Sequence, residues 1–117
     1  MSKPEREFHL PSGPWEVPAG SAPGIRERTI AADADGSHRT AIVRWAPGTD
    51  TSSSGVAVHD FWEEVYLLDG GLRDLTLGET FAKGCYASRP PGMPHGPWRS
   101  EEGVTMLVFT YPRSPDH

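Results

Sequence analysis

The chain has 117 residues, enough for one domain with a modest core, and a formal net charge of −5 with Lys and Arg scattered along it. That pattern gives no phosphate-binding face, so no nucleic-acid partner is expected. No apolar run approaches bilayer length, and the polar stretch from Met1 to Leu10 has no signal-peptide core, so the expectation is a cytoplasmic protein with no membrane partner. Residues 1–24 read as an irregular arm, because Pro4, Pro11, Pro14, Pro18 and Pro23 interrupt any regular element. Phe8, Leu10, Trp15 and Val17 give the arm apolar contacts to offer, either to the outside of its own domain or across a dimer partner. Short strands follow. Ile25 to Ile30 is one, and Thr40 to Trp45 is a stronger one that stops at Pro47-Gly48. Val56 to Leu68 is long enough for one bent strand or two, and Asp69-Gly70-Gly71 reads as a hairpin turn. Leu72 to Leu77 alternates and ends at Gly78, with a short extension at Thr80 to Phe81. Cys85 to Ser88 leads into the turn Pro90-Pro91-Gly92. Cys85 is the single cysteine, so it forms no intrachain disulfide and reads as a small buried hydrophobe. Val104 to Tyr111 carries no charge and forms the last strand, and residues 113–117 read as a frayed end.

No segment of ten or more residues holds a 3.6-residue period, so no helix is expected. The 13 Gly and 12 Pro fall between alternating apolar runs, which fits a turn-rich all-β sandwich or barrel over residues 25–112 better than disorder.

Strand alternation places chemistry on one face. His59, Phe61, Glu63, Val65 and Leu67 share a side, while Asp60, Trp62, Glu64, Tyr66 and Leu68 share the other. His59 and Glu63 therefore point into one cavity together, and Glu64 joins them only across a bulge. His95 follows the Pro-Gly turn, and a closed barrel can bring it opposite His59. Two imidazoles and a carboxylate make a donor set for Fe(II), Zn(II), Mn(II) or Ni(II), with positions left open for water, dioxygen or a substrate. A metal-free polar cluster is the competing reading. Arg89 and Arg99 flank His95, and either can hold a substrate carboxylate or stand as a solvated edge charge. The edge reading is the stronger for Arg89. Tyr66, Tyr86 and Trp98 read as barrel packing before they read as cavity wall. Met93 and Met106 read as core, and His9, His38 and His117 as solvent-facing.

Two spacings carry a family resemblance. Gly84, Pro90, Gly92 and His95 stand as G-x5-P-x-G-x2-H, and His59, Glu63 and Gly70 as H-x3-E-x6-G. Together they resemble the two signature motifs of the cupin superfamily, G-x5-H-x-H-x3–4-E-x6-G and G-x5-P-x-G-x2-H-x3-N. The resemblance covers most of the chain after the arm, and is nearest to the cupin domain of zinc-dependent anti-sigma factors and to small dioxygenases that cleave β-diketones. It implies a double-stranded β-helix (the cupin jelly-roll barrel), a divalent metal held by His59, Glu63 and His95, and a homodimer. It also implies a metal-dependent enzyme acting on a small chelating ketone or diketone, with Arg99 or Tyr86 orienting the substrate. Two positions depart from the pattern. Ala57 stands where the family's first His falls, and Arg99 replaces the closing Asn. At most three of the usual four ligands are therefore present, unless Thr51, Ser52 or His38 substitutes. A non-redox isomerase, cyclase or decarboxylase, a metal-sensing module, and a metal-free ligand-binding barrel are the alternatives.

Overall fold

In a computed structural model that describes residues 3–113, eight strands roll into the expected double-stranded β-helix. They are β1 (Ile25–Ala32), β2 (Arg39–Trp45), β3 (Thr49–Asp50), β4 (Phe61–Asp74), β5 (Glu79–Ala82), β6 (Tyr86–Arg89), β7 (Trp98–Ser100) and β8 (Val104–Pro112). Among the described residues the only helical turn is a 3-10 turn at Ser52–Ser54, and no helix is long and apolar enough to cross a membrane. All strand pairings are antiparallel. One layer runs β1-β2-β8-β4-β6 and the other β3-β7-β4-β5, so β4 belongs to both.

The 14-residue β4 is the hinge of the architecture. Val65 and Leu67 are buried in its first half, whereas Leu72 and Asp74 are buried in its second. The inward parity switches from odd to even because the pairing with β8 slips between Leu67 and Asp69, and one extra residue in a strand turns every later side chain to the other face. Asp69-Gly70-Gly71 is therefore not a hairpin turn, as its composition suggests. Gly70 adopts φ +78° and lets the strand bend as it passes Gly103. The true reversal comes later, where the Asp74 carboxylate accepts the backbone N–H groups of Thr76 (2.9 Å) and Leu77 (3.0 Å), an Asx-type turn that ends the strand before Leu77.

Alternation along β8 buries Val104, Met106 and Val108, which pack with Ile25, Trp45, Val65, Leu67 and Leu72 between the layers. Met93, expected in the core, is exposed, and so is Cys85. The short strands β3 and β7 had no sequence signal of their own. They form because Thr51 clasps Trp98: its backbone N–H donates to the Trp98 carbonyl (2.8 Å), and its hydroxyl accepts the Trp98 N–H (2.8 Å).

The β1–β2 connection is closed by a buried carboxylate. Asp33 accepts hydrogen bonds from the Ser37 hydroxyl (3.0 Å), the His38 backbone N–H (3.2 Å) and the His38 ring Nδ1 (2.9 Å). His38 is thus partnered and only partly exposed, not free in solvent. Burial pushes the Asp33 carboxyl up, but these hydrogen bonds outweigh it and hold it well below the ordinary carboxylate range. A depressed folded-state value contributes stability that is present above the unfolded value of about 3.9 and is lost as the pH falls below it. Thermal melts between pH 5 and pH 3 should fall more steeply for the native protein than for Asp33→Asn. Equal slopes would remove Asp33 from the acid response.

The arm crosses the outside of β1, β2 and β8. Glu16 and Glu27 exchange backbone hydrogen bonds at 2.8 Å, and the Trp15 ring lies against the guanidiniums of Arg28 (4.9 Å) and Arg44 (4.5 Å). Phe8 and Leu10 touch nothing that covers them and are fully exposed. At the other end Arg113 pairs with Asp60 at 2.8 Å. Residues 114–117, including His117, lie outside the described residues.

Candidate functional site

Two segments bring three side chains to one wall of the interior: the start of β4 with the residues just before it, and the turn that follows β6. His59 lies just before β4, where its carbonyl accepts the Gly92 N–H (2.8 Å) and so ties it to the Pro90–Met93 turn. Its ring stacks on Phe61, centroids 4.7 Å apart and planes within 8°. Glu63 is the third residue of β4 and points inward, as alternation requires. His95 pairs with Ala57 through two backbone hydrogen bonds of 2.8 and 3.0 Å. The result is that one ligand-type atom from each of His59, Glu63 and His95 lies within 4.8 Å of the others.

The geometry and the surroundings of His95 fit a metal. Glu63 Oε1 stands 4.0 Å from His59 Nε2 and 3.8 Å from His95 Nε2, beyond hydrogen-bond distance. Donors at metal bonds of about 2.1 Å sit about 3.4 Å apart in a tetrahedral arrangement, so small side-chain rotations close the site. His95 Nδ1 lies 3.2 Å from the Met93 carbonyl, to which it donates, and this leaves Nε2 as the lone-pair nitrogen facing Glu63. Burial first, and then the nearby Arg89 charge, lower the His95 pKa, which favours the neutral imidazole that a metal requires. Ala57 is the residue directly opposite His95 in a hydrogen-bonded antiparallel pair, so its Cβ lies on the same side as the His95 side chain. The missing fourth ligand is thus missing at the site itself. Among the described residues no other side chain replaces it. Thr51 is engaged with Trp98, Ser52 is exposed in the 3-10 turn, and His38 is held by Asp33.

The wall belongs to a cavity of about 670 Å³. Val43, Trp45, Val65, Met106 and Val108 line its apolar part, and Glu27 and Arg39, paired at 2.8 Å, stand elsewhere on its border. Arg89, which the sequence presented as an edge charge, lines this cavity instead. It faces Glu63 directly across the β4–β6 pairing and donates from Nη1 to Glu63 Oε1 at 2.8 Å. Its guanidinium lies over the Trp98 ring at 5.3 Å. Period-2 alternation with Ala87 through Arg89 was the available signal, and the Pro-rich turn that follows obscured it.

Arg99 and Tyr86 are not brought to this cavity wall. Arg99 pairs with Glu101 and with Asp50 (3.2 Å) on the outside of β7. Tyr86 projects from the opposite face of the sheet and donates its hydroxyl to Glu64, which also accepts from Tyr111 (2.8 Å). The Glu64 hydrogen bond raises the Tyr86 pKa, so that hydroxyl serves as a clasp between strands.

Comparison with known proteins places this arrangement in a family. Residues 9–114 match the ChrR Cupin-like domain. An RmlC-like cupin from Shewanella frigidimarina is similar over the whole of both chains, at 16% identity and a TM-score of 0.69. The polyketide cyclase RemF from Streptomyces resistomycificus is 22% identical, with 91% of this chain and 78% of that one covered and a TM-score of 0.69. An acetylacetone dioxygenase from Acinetobacter johnsonii is 18% identical, with 95% and 77% covered and a TM-score of 0.69. A search of curated proteins finds no match. The match spans nearly all of the chain, and the Gly-Pro-Gly-His run and the His-Glu pair lie on the strands and turns that build the cavity, so the chain belongs to the ChrR cupin-like domain family.

Proposed function

We propose that the protein is a metal-dependent enzyme acting on a small oxygenated molecule, such as a diketone, hydroxy-ketone or aromatic ketone. One observation carries this reading: three donor atoms within 4.8 Å of one another sit on the wall of an otherwise largely apolar cavity of about 670 Å³. His59, Glu63 and His95 hold a divalent iron, zinc, manganese or nickel ion. Such an ion, when bound, polarises an oxygen of the substrate as a Lewis acid. The Met93 carbonyl fixes the His95 ring, and the Phe61 ring supports His59. Val43, Val65, Met106 and Val108 take the carbon skeleton and keep water from it. Structural similarity to a polyketide cyclase and to an acetylacetone dioxygenase supports a substrate with neighbouring carbonyl oxygens, and leaves both dioxygenase and non-redox isomerase or cyclase chemistry open. Elemental analysis of natively purified protein beside His95→Ala tests it. Near-stoichiometric metal that is absent from the variant is expected. Iron would direct the next assay to oxygen uptake, and zinc or manganese to non-redox turnover. Native protein that stays metal-free after reloading overturns the reading.

A metal-free ligand-binding barrel is the second reading, favoured by the contact of Arg89 Nη1 with Glu63 Oε1, which gives the carboxylate a cationic partner without a metal. In either case we propose a cytoplasmic homodimer, with the exposed Phe8 and Leu10 of each arm covered by the partner. Light scattering should give a dimer for the full chain and a monomer once residues 1–24 are removed. A full-length monomer rules it out.

A further inference from the structure

The cavity carries a cation that the metal reading does not use. Arg89 is nearly buried, 11% exposed at its side chain, and is fixed at two points: Nη1 on Glu63 Oε1 at 2.8 Å, and the guanidinium over Trp98 at 5.3 Å. A guanidinium has five N–H donors, and among the described residues Arg89 makes a hydrogen bond only to Glu63. Among the described residues Arg28 Nε is the sole buried side-chain polar atom left without a partner, so the remaining Arg89 donors are not sealed off: they keep access to the hollows that Arg89 borders, this cavity among them. The apolar wall of Val43, Val65, Met106 and Val108 belongs to the same cavity. The Arg39 guanidinium, also on its border, is engaged with Glu27 and Thr29.

We infer that Arg89 binds the anionic oxygens of the ligand, and that the ligand is a small carboxylate or enolate with an apolar body. The inference rests on the cavity being the ligand site, as proposed above. The charge balance points the same way. With a divalent cation on the triad, that cation and Arg89 outweigh the single Glu63 carboxylate by two positive charges in a hollow lined largely by apolar side chains, and an anionic ligand relieves the excess. Without a metal, Glu63 takes only one of the Arg89 donors, and the planar fork still has parallel N–H groups for a bidentate carboxylate.

The test uses hexanoate and its neutral counterpart hexanamide, titrated calorimetrically into the full chain. It is run once after chelation and dialysis and once after zinc loading, with bound zinc measured on the same samples. Arg89→Gln should weaken hexanoate at least tenfold in both states and change hexanamide less than threefold. Arg89→Lys should recover part of the loss, because it restores the charge without the fork. Thermal melts of both variants confirm that they fold. If hexanoate and hexanamide weaken together, if Arg89→Gln binds hexanoate like the native protein, or if neither compound binds the native protein, Arg89 is not the anion site. Hexanoate selectivity without retained zinc would remove the metal reading and leave this one. Retained zinc without hexanoate selectivity would do the reverse.

Discussion

Gly70→Ala is expected to destabilise the protein by roughly 2–5 kcal/mol, the sum of a left-handed backbone penalty of roughly 1–2 kcal/mol and an overpacking cost of roughly 1–3 kcal/mol. Gly70 sits at φ +78°, and a Cβ there would stand 2.0 Å from the Gly103 carbonyl oxygen and 2.9 Å from Val104 Cα. Both obstacles are backbone, at the point where β4 pairs with the start of β8 (Gly70 opposite Val104), so neither yields by rotating a side chain. Gly71→Ala is the matched control. Its Cβ would first meet Glu102 Oε1 at 2.8 Å, the far end of a flexible side chain, and a loss below about 1 kcal/mol is expected. Urea unfolding of the two variants measures the difference. If both lose the same amount, the bend in β4 does not depend on Gly70.

Glu63→Gln should act on two properties at once. On the proposed reading it removes the anionic ligand of the triad. Structural zinc sites reach roughly 10–16 kcal/mol with four ligands, so one ligand is worth about 3 kcal/mol, and metal affinity should fall by about 100-fold. It also leaves the nearly buried Arg89 without its anion, which should cost the metal-free protein about 2 kcal/mol, a value reduced because both side chains keep some exposure (17% and 11%). The double variant Glu63→Leu with Arg89→Met separates the two effects. It should recover most of the stability, since it removes both charges, but none of the metal affinity. A Glu63→Gln protein with native metal affinity would show that the triad is not the metal site. One with native stability would show that the Arg89 pair is not a structural element.

Composition, periodicity and spacing in the sequence determined a good deal of this protein. The uncharged run Val104 to Tyr111, and the β-branched and aromatic residues of Thr40 to Trp45 before Pro47-Gly48, defined two strands, because such side chains fit a pleated, half-buried surface. Strand alternation put His59 and Glu63 on one side, and the Gly84-Pro90-Gly92-His95 spacing put His95 after a turn. The three ligand-type atoms do converge. Other features depended on contacts between residues far apart in the chain. The turn-like Asp69-Gly70-Gly71 became a strand interior because a bulge at the crossing with β8 absorbs the extra residue. β3 and β7 depend on pairing with each other, on the pairing of β7 with β4, and on the Thr51–Trp98 clasp, 47 positions apart. Arg89 and Arg99 are the same residue type near the same histidine, and the sequence ranks them the wrong way round, with Arg89 as the edge charge. Pairing with β4 set Arg89 against Glu63 inside the cavity, while Asp50 and Glu101 drew Arg99 to the surface. Side-chain period is a local property that the sequence carries. Which charge meets which partner is set by register between strands, and register exists only once the barrel has closed.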